Sequence, residues 1–420
     1  MINNKLIKIF LLVFIATLLS TFLNGCQITP PIAEKAEWTV MVYLAAGNNL
    51  ESVGIQDINE MELIGSNKDV NIIVQLDRIP FHVLDQYGMG DADDASNNNW
   101  TGTRRYYVTK DINPEIIRSN LIMDLGEKNM GDPETLNDFA LWAMQNYPAK
   151  RYLLVLWNHG GGFRSIDTSS SRDICWDWNF GFNNRITMPQ LKESLSFISG
   201  QMGKKIDIVG MDACYMGMVE VAYQIKDYSD IVVFSEASVP GDGWQYDCIL
   251  EGLVNYPLQK TNNFASSIVD SFQKQYSGSG RNVTISAVDL SKIDNLADNI
   301  SNLANAIISD NKTLKENYRA AARNTQNYTG VGFEYIDLKH FTSNLPDYTS
   351  NSSVLIYANQ IKQYLEDGNI IINNTFSGSS VRNSYGLSIY FPYYSYDNYY
   401  NNLIFTQDFL WDEMLTHLGY

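Results

Sequence analysis

Histidine and cysteine are the scarce residues of this chain, four of each in 420. So few histidines leave a narrow choice of base for any proton-transfer chemistry. Cys26 directly follows an N-terminal leader, and three further thiols come later, Cys175, Cys214 and Cys248. Three cannot all pair within one chain, which excludes a closed disulfide set and leaves at least one thiol free. Positive charge is also short: 30 Lys and Arg stand against 47 Asp and Glu, a net charge of −17. A field of that sign repels nucleic acid and anionic lipid headgroups and attracts basic peptides; its plainer consequence is solubility. After the leader there is no apolar run of the roughly 20 residues that a membrane helix needs, and no short-period repeat. What is present is core material, 45% hydrophobic and 12% aromatic residues, the make-up of a globular chain.

The leader occupies residues 1–25. Lys5 and Lys8 precede an apolar stretch at 9–23, too short to span comfortably, which ends in Leu23-Asn24-Gly25-Cys26. This resembles a bacterial lipoprotein signal, with Cys26 as the lipidated residue after cleavage. An ordinary secretory signal with an incidental cysteine is the alternative. Residues 26–37, with Pro30 and Pro31, read as an extended tether. The expected location is therefore extracytoplasmic, at the cell surface, with membrane contact only through the N-terminal lipid.

Apolar runs with β-branched residues predict buried strands at 38–46, 71–77, 152–157, 206–210 and 231–235, and a shorter strand at 104–109. Helical segments are expected between them: one to about residue 64 after Asn48 and Asn49, one opened by Asp132-Pro133, one after Pro189, and one at 217–225. Residues 85–102 and 163–185 read as polar loops. This alternation means a mainly parallel sheet covered on both faces, with ligands beyond the carboxyl ends of its strands. The second half is less regular, with helices at 261–276, 292–308, 313–325 and 350–366 and strands at 283–289 and 386–391. The Asn- and Ser-rich stretches 342–353 and 373–383 are candidate insertions.

Two chemically capable residues each end a predicted core strand, His159 in Asn158-His159-Gly160-Gly161-Gly162 and Cys214 in Met211-Asp212-Ala213-Cys214. A thiol beside a base, with donors for an oxyanion, is the requirement for nucleophilic acyl transfer. A cysteine just before a helix N-terminus would have its pKa lowered by the helix dipole. The glycines leave the backbone free to approach a substrate. Cys214 follows His159 by 55 residues, and caspases place a His about 50 residues before an Ala-Cys element. Cys175 and Cys248 read as inert thiols or a disulfide, and His82, His340 and His417 as surface or packing residues.

A more specific likeness is carried by four segments, Trp38-Thr-Val-Met-Val-Tyr-Leu, Trp157-Asn-His-Gly-Gly-Gly, Asp212-Ala-Cys-Tyr-Met and Pro240-Gly-Asp-Gly-Trp244. Together they resemble the clostripain family of cysteine peptidases, strongly over 38–250. The resemblance implies a caspase-like α/β/α sandwich, a catalytic core at 38–250 and a C-terminal α/β part at 251–420 packed on the core or completing it. It implies a Cys214–His159 dyad, oxyanion donors at Gly160 N–H and Cys214 N–H, and Asp212 and Asp242 as acids lining the pocket for Arg or Lys before the scissile bond. Asp212 capping a following helix and Asp242 serving only its turn remain the alternatives. Members arrive as zymogens cut between the two catalytic residues. Arg164, Arg172 and Arg185 lie in that interval, and Arg172, after three serines, is the expected self-cleavage site. No cofactor is required. Calcium, which some relatives need, could bind at Asp85, Asp91, Asp93 and Asp94, though a solvated loop is the simpler reading. The competing function is a non-catalytic surface-binding lipoprotein on a peptidase fold.

Overall fold

The first core strand, β1 (Ala36–Leu44), shows why its sequence reads as an unbroken apolar run. Trp38, Val40, Val42 and Leu44 enter one buried cluster. Met41 and Tyr43 enter another on the opposite face. Both faces are covered, so neither tolerates polar alternation. In this computed structural model, which describes residues 35–163, 173–328, 334–366 and 370–420, eleven strands follow in chain order. They are β1, β2 (Val70–Arg78), β3 (Gly102–Tyr107), β4 (Asn120–Asp124), β5 (Ala149–Trp157), β6 (Ile206–Asp212), β7 (Ser229–Phe234), β8 (Val283–Asp289), β9 (Tyr335–Asp337), β10 (Ile371–Ser377) and β11 (Ser388–Tyr390).

Nine of them form one sheet in the order β10-β8-β7-β6-β5-β1-β2-β3-β4. The centre, β7-β6-β5-β1-β2, is parallel. The flanks are added antiparallel, β3 on β2 and β4 on β3 at one side, β8 on β7 and β10 on β8 at the other. Helices Glu51–Ile64, Tyr246–Asn255 and Thr261–Tyr276 contribute to one buried layer. Helices Pro133–Asn146, Met188–Met202, Ile293–Ile308 and Ser352–Glu366 contribute to the other. This is the caspase-like α/β/α sandwich. Contacts gather Ala36–Tyr420 into one compact unit, and β8 and β10 place the second half of the chain within the sheet of the first.

The register sets up the site. In the β5–β6 pair, Leu156 lies opposite Met211 and Trp157 opposite Asp212. His159 and Cys214 each follow two residues beyond that last paired couple, so both emerge side by side at the carboxyl edge.

Several elements differ from the sequence reading. The expected insertion at 373–383 is in part strand β10, whose asparagines are satisfied sideways: Asn373 Nδ2 donates to Asp270 Oδ1 at 2.8 Å and Asn374 Nδ2 to the Ser384 carbonyl at 3.4 Å. The stretch at 342–353 begins inside helix Leu338–Asn344, whose N-cap Asp337 accepts from His340 N–H at 2.6 Å. Strand β4 is exposed along its whole length and carries no burial pattern to read. Residues 388–390 pair with β9 in a separate two-stranded sheet rather than joining the core sheet.

Candidate active site

His159, Cys214 and Asp212 line one cavity of about 210 Å3, walled also by Leu50 and by the turn Val239–Gly241. The strand ends that carry them approach closely. A Cβ at Gly160 would lie 2.6 Å from the Cys214 carbonyl oxygen and 3.0 Å from its nitrogen, a contact that only glycine allows.

His159 is held from two sides. Its Nε2 lies 2.8 Å from Asn49 Oδ1. An amide oxygen only accepts, so this contact puts the proton on Nε2 and leaves the Nδ1 lone pair open. The indole of Trp178 stacks on the ring at 6.4 Å and 12°, and that of Trp176 meets it edge-on at 5.9 Å. Burial against these rings pulls the imidazole pKa down to about 4. Neighbouring amides fix the frame: Asn48 Nδ2 donates to the carbonyls of Ala45 (3.0 Å) and Trp176 (2.8 Å). Asn158 Nδ2 reaches the same two carbonyls, so its side chain braces the loop and is not a partner of the imidazole.

Cys214 sits in a tight turn in which Tyr215 adopts φ 60°, left-handed and uncommon for a non-glycine residue. Its Sγ accepts from Val239 N–H at 3.2 Å. The expected helix-dipole activation is absent, because the helix Val219–Ile225 begins five residues further on. Burial instead pushes the thiol up, the Asp212 charge adds to the rise, and the N–H groups of Val239 and Gly160 act against it. A raised thiol and a lowered imidazole leave both groups neutral at rest.

Asp212 is buried. Its Oδ2 accepts from Trp244 N–H (3.0 Å) and Tyr246 O–H (3.1 Å), while Oδ1 has no hydrogen-bond partner among the described residues. Burial raises its pKa to about 7. Asp57, fully buried, and Glu60 couple to it: burial raises both and so favours their neutral forms, each is raised further by Asp212, and Glu60 reaches about 7. Asp242 does not join them. It is more than half exposed and pairs with Arg281 at 3.2 Å, because the Gly241–Gly243 turn presents the glycines to the cavity and the aspartate to solvent.

Cys26, Arg164 and Arg172 lie outside the described residues. Arg185 is paired with Asp173 at 2.9 Å and largely buried, unlike an open cleavage site. Cys175 and Cys248 are free thiols, so the disulfide alternative is removed. His340 is a packing residue whose Nδ1 accepts from Gln326 N–H. In the acidic loop at 85–94 the backbone of Asp94 is fixed: its N–H donates to Glu51, and its carbonyl accepts from Arg78. Among the described residues, Asp77, Glu127 and Asp177 bring three carboxylates together. The sequence reading missed Asn49, Trp176 and Trp178. Asn49 follows β1 at the same carboxyl edge, and that position was the signal available for it; the tryptophans lie in what read as an interrupting loop.

The clostripain family model matches residues 42–418 of this chain. Clostripain of Hathewaya histolytica is 32% identical over 228 residues, which cover 51% of this chain and 41% of that protein, so the match spans less than half of the relative's length. Among solved structures, an inactive zymogen C11 protease from Parabacteroides distasonis is similar with a TM-score of 0.65 at 20% identity, covering 89% of this chain and 98% of the other. A secreted C11 cysteine protease from Bacteroides thetaiotaomicron, solved with an irreversible peptide inhibitor, gives 0.63 at 21% identity, covering 91% and 99%. These structural likenesses speak to the fold alone. The family match extends over most of the chain, and the chain belongs to the clostripain family.

Proposed function

We propose that the protein is a cysteine endopeptidase that cuts after Arg or Lys, with Cys214 as nucleophile and His159 as base. The observation that carries this reading is one small cavity holding a thiol, an imidazole and a buried carboxylate with an open oxygen. Asp212 Oδ1 is suited to a guanidinium or ammonium, which would gain a charge-assisted bond in a desolvated place. His159 accepts the Cys214 proton as sulfur attacks the scissile carbonyl carbon. Gly160 N–H and Cys214 N–H stabilise the oxyanion. As the C–N bond breaks, His159 returns the proton to the leaving amine, and water then releases the acyl group from sulfur. Asn49 keeps the imidazole oriented.

The proposal extends to processing and location: self-cleavage at or near Arg172, and anchoring through lipid on Cys26. No organic cofactor enters the reaction. A panel of fluorogenic peptides with Arg, Lys, Asp or Leu before the reporter tests the reading on wild type and Cys214→Ala. Cleavage of the Arg and Lys peptides by wild type only is expected. Cleavage after Asp removes Asp212 from its role, and no cleavage at all favours a non-catalytic binding protein. On a denaturing gel the Cys214→Ala chain should stay whole; two fragments from it would end the self-cleavage proposal.

A further inference from the structure

A second cavity, of about 530 Å3, runs along helix Glu51–Ile64, whose N-cap Leu50 walls the cavity of His159 and Cys214. Its inner wall is one face of that helix, with Ile55, Asn59 and Leu63 four residues apart and Glu60 beside them. Its outer wall is formed by the loops that carry Asp94, Pro114 and Glu115. Both walls are held in place. Arg78, wholly buried and paired with Glu51, donates to the carbonyls of Ser96 (3.2 Å) and Asp94. Asn97 Nδ2 donates to the Glu115 carbonyl at 3.3 Å, and Asn97 Oδ1 accepts from Ile117 N–H at 2.8 Å. Asn59 Nδ2 ties helix to loop by donating to the Pro114 carbonyl at 3.0 Å. The groove is therefore formed before a ligand arrives, which lowers the ordering cost of binding.

Two observations point to what it takes. The first is its chemistry. Ile55, Leu63 and Pro114 supply apolar surface, Glu60, Asp94 and Glu115 supply carboxylates, and none of the described residues lining it is basic. Burial raises Glu60, and the charges of Asp247, Asp212 and Asp242 raise it further. A cation beside Glu60 would offset that repulsion and draw it to its ionised form. The second is Asn59. It is only 5% exposed, and its Oδ1 is buried without a hydrogen-bond partner among the described residues. An amide oxygen only accepts, so what this position lacks is a donor. Apolar walls for an aliphatic stem, carboxylates for a charged head and an acceptor for its N–H groups are the complement of a Lys or Arg side chain.

We propose that this groove is a second substrate subsite, taking a further Arg or Lys side chain from a peptide whose first basic residue occupies the Asp212 cavity. The inference rests on the peptidase reading and names a substrate class for it, segments with two or more basic residues close together. Ser52 to Leu63 covers about 16 Å of helix, the length of about five extended residues at roughly 3.3 Å each. Leu50 at one cavity and Ser52 at the other stand two residues apart, so the two basic residues lie within a few positions of each other. The net charge of −17 draws such segments in.

Internally quenched peptides test this. Each carries one Arg at the scissile bond and either Arg or Ala at one of the five positions on either side, and mass spectrometry reports which bond is cut. Relative to Ala, the second Arg should raise kcat/KM about tenfold at one or two positions, through KM, and have little effect at the others. Gln56→Arg places a cation in the groove from an exposed helix position. In that variant and in Glu115→Gln the gain should shrink to about twofold or less, and Glu115→Gln decides if Gln56→Arg does not fold. Full-length Cys214→Ala, with fluorescence anisotropy of the same peptides, reads binding without cleavage and should show the same positional preference. Cleavage of the single-Arg peptide with no positional gain overturns the inference and leaves the peptidase reading standing. A gain that survives both groove variants overturns it too, because the second cation then sits elsewhere. Two-Arg peptides that bind through the groove and are never cut would keep the subsite and remove the peptidase reading.

Discussion

Two acidic sites share the carboxyl edge of the sheet and differ in how many charges they gather. Around the cavity, Asp212 offers one open oxygen while its other is satisfied by Trp244 and Tyr246. Behind the His159 wall, Asp77, Glu127 and Asp177 converge with oxygens oriented by backbone and amide donors. Burial raises the carboxyl pKa in both places. The difference teaches what each can accept. A single buried carboxylate beside an open cavity is matched by a side-chain cation, which can enter and leave. Three carboxylates crowded together, two of them buried and Glu127 exposed, instead hold their protons more tightly than free acids do.

The sharpest way to break this contrast is Asp212→Asn. It keeps acceptors for Trp244 and Tyr246 and removes only the charge. The rate constant kcat/KM for Arg and Lys peptides should fall by about a hundredfold or more, the effect of leaving a buried cation unpaired. The same variant carries a stability signature. A carboxyl raised to about 7 in the folded state, against an ordinary value near 4, stabilises the fold below about pH 4 and loses that contribution as pH rises through about 7. Asp212→Asn should therefore melt a few degrees above wild type at pH 8, and the gain should vanish toward pH 4. An equal loss of activity on every substrate, with no gain in melting temperature, would make Asp212 a structural residue only.

Next in size is the pH dependence of recognition. Free enzyme near pH 6 holds Asp212 largely protonated, and a neutral carboxyl cannot pair with a guanidinium. KM for Arg peptides should fall as pH rises through about 7, following the ionisation of Asp212. In Asp212→Asn that step should be missing. Its persistence in the variant would assign the titration to another group, Glu60 being the nearest candidate.

Smaller again is Asn49→Ala. It removes the acceptor from His159 Nε2 while Trp176 and Trp178 still confine the ring. A drop of about tenfold in kcat with KM little changed is expected for a lost orienting bond, with partial rescue by Asn49→Asp. Unchanged kcat would show that the aromatic wall alone positions the imidazole.

What could be read from sequence was whatever follows from periodicity along the chain. The central strands are buried on both faces and announce themselves as apolar runs, and the β5–β6 register then brings His159 and Cys214 together. Three kinds of feature stayed hidden. Edge strands stayed hidden for two reasons: the apolar run of β4, Leu121 to Met123, is short and wholly exposed, and the asparagines of β10 break its apolar pattern. The trio of Asp77, Glu127 and Asp177 draws its members from segments 50 residues apart, so no local spacing marks it. Side-chain direction inside a turn is invisible too: Gly241-Asp242-Gly243 showed an aspartate near the site, and only the backbone path reveals that it faces Arg281.

That last point gives the smallest expected effect and the cleanest control for Asp212. Asp242 is more than half exposed, and its ion pair with the half-exposed Arg281 is screened by water and salt. Asp242→Asn should change kcat/KM for Arg and Lys peptides by less than about twofold, leave the melting temperature within about a degree, and keep the pH step near 7. Two aspartates thirty residues apart, both in segments that carry the family resemblance, are thus set against each other by burial alone. A loss in Asp242→Asn as large as that in Asp212→Asn would mean that the turn closes over bound substrate and swings Asp242 inward, exchanging Arg281 for the substrate cation. Charge reversal at the partner separates the cases: Arg281→Glu should leave kinetics unaltered while Asp242 stays in solvent, and should change KM if Arg281 competes with substrate for it.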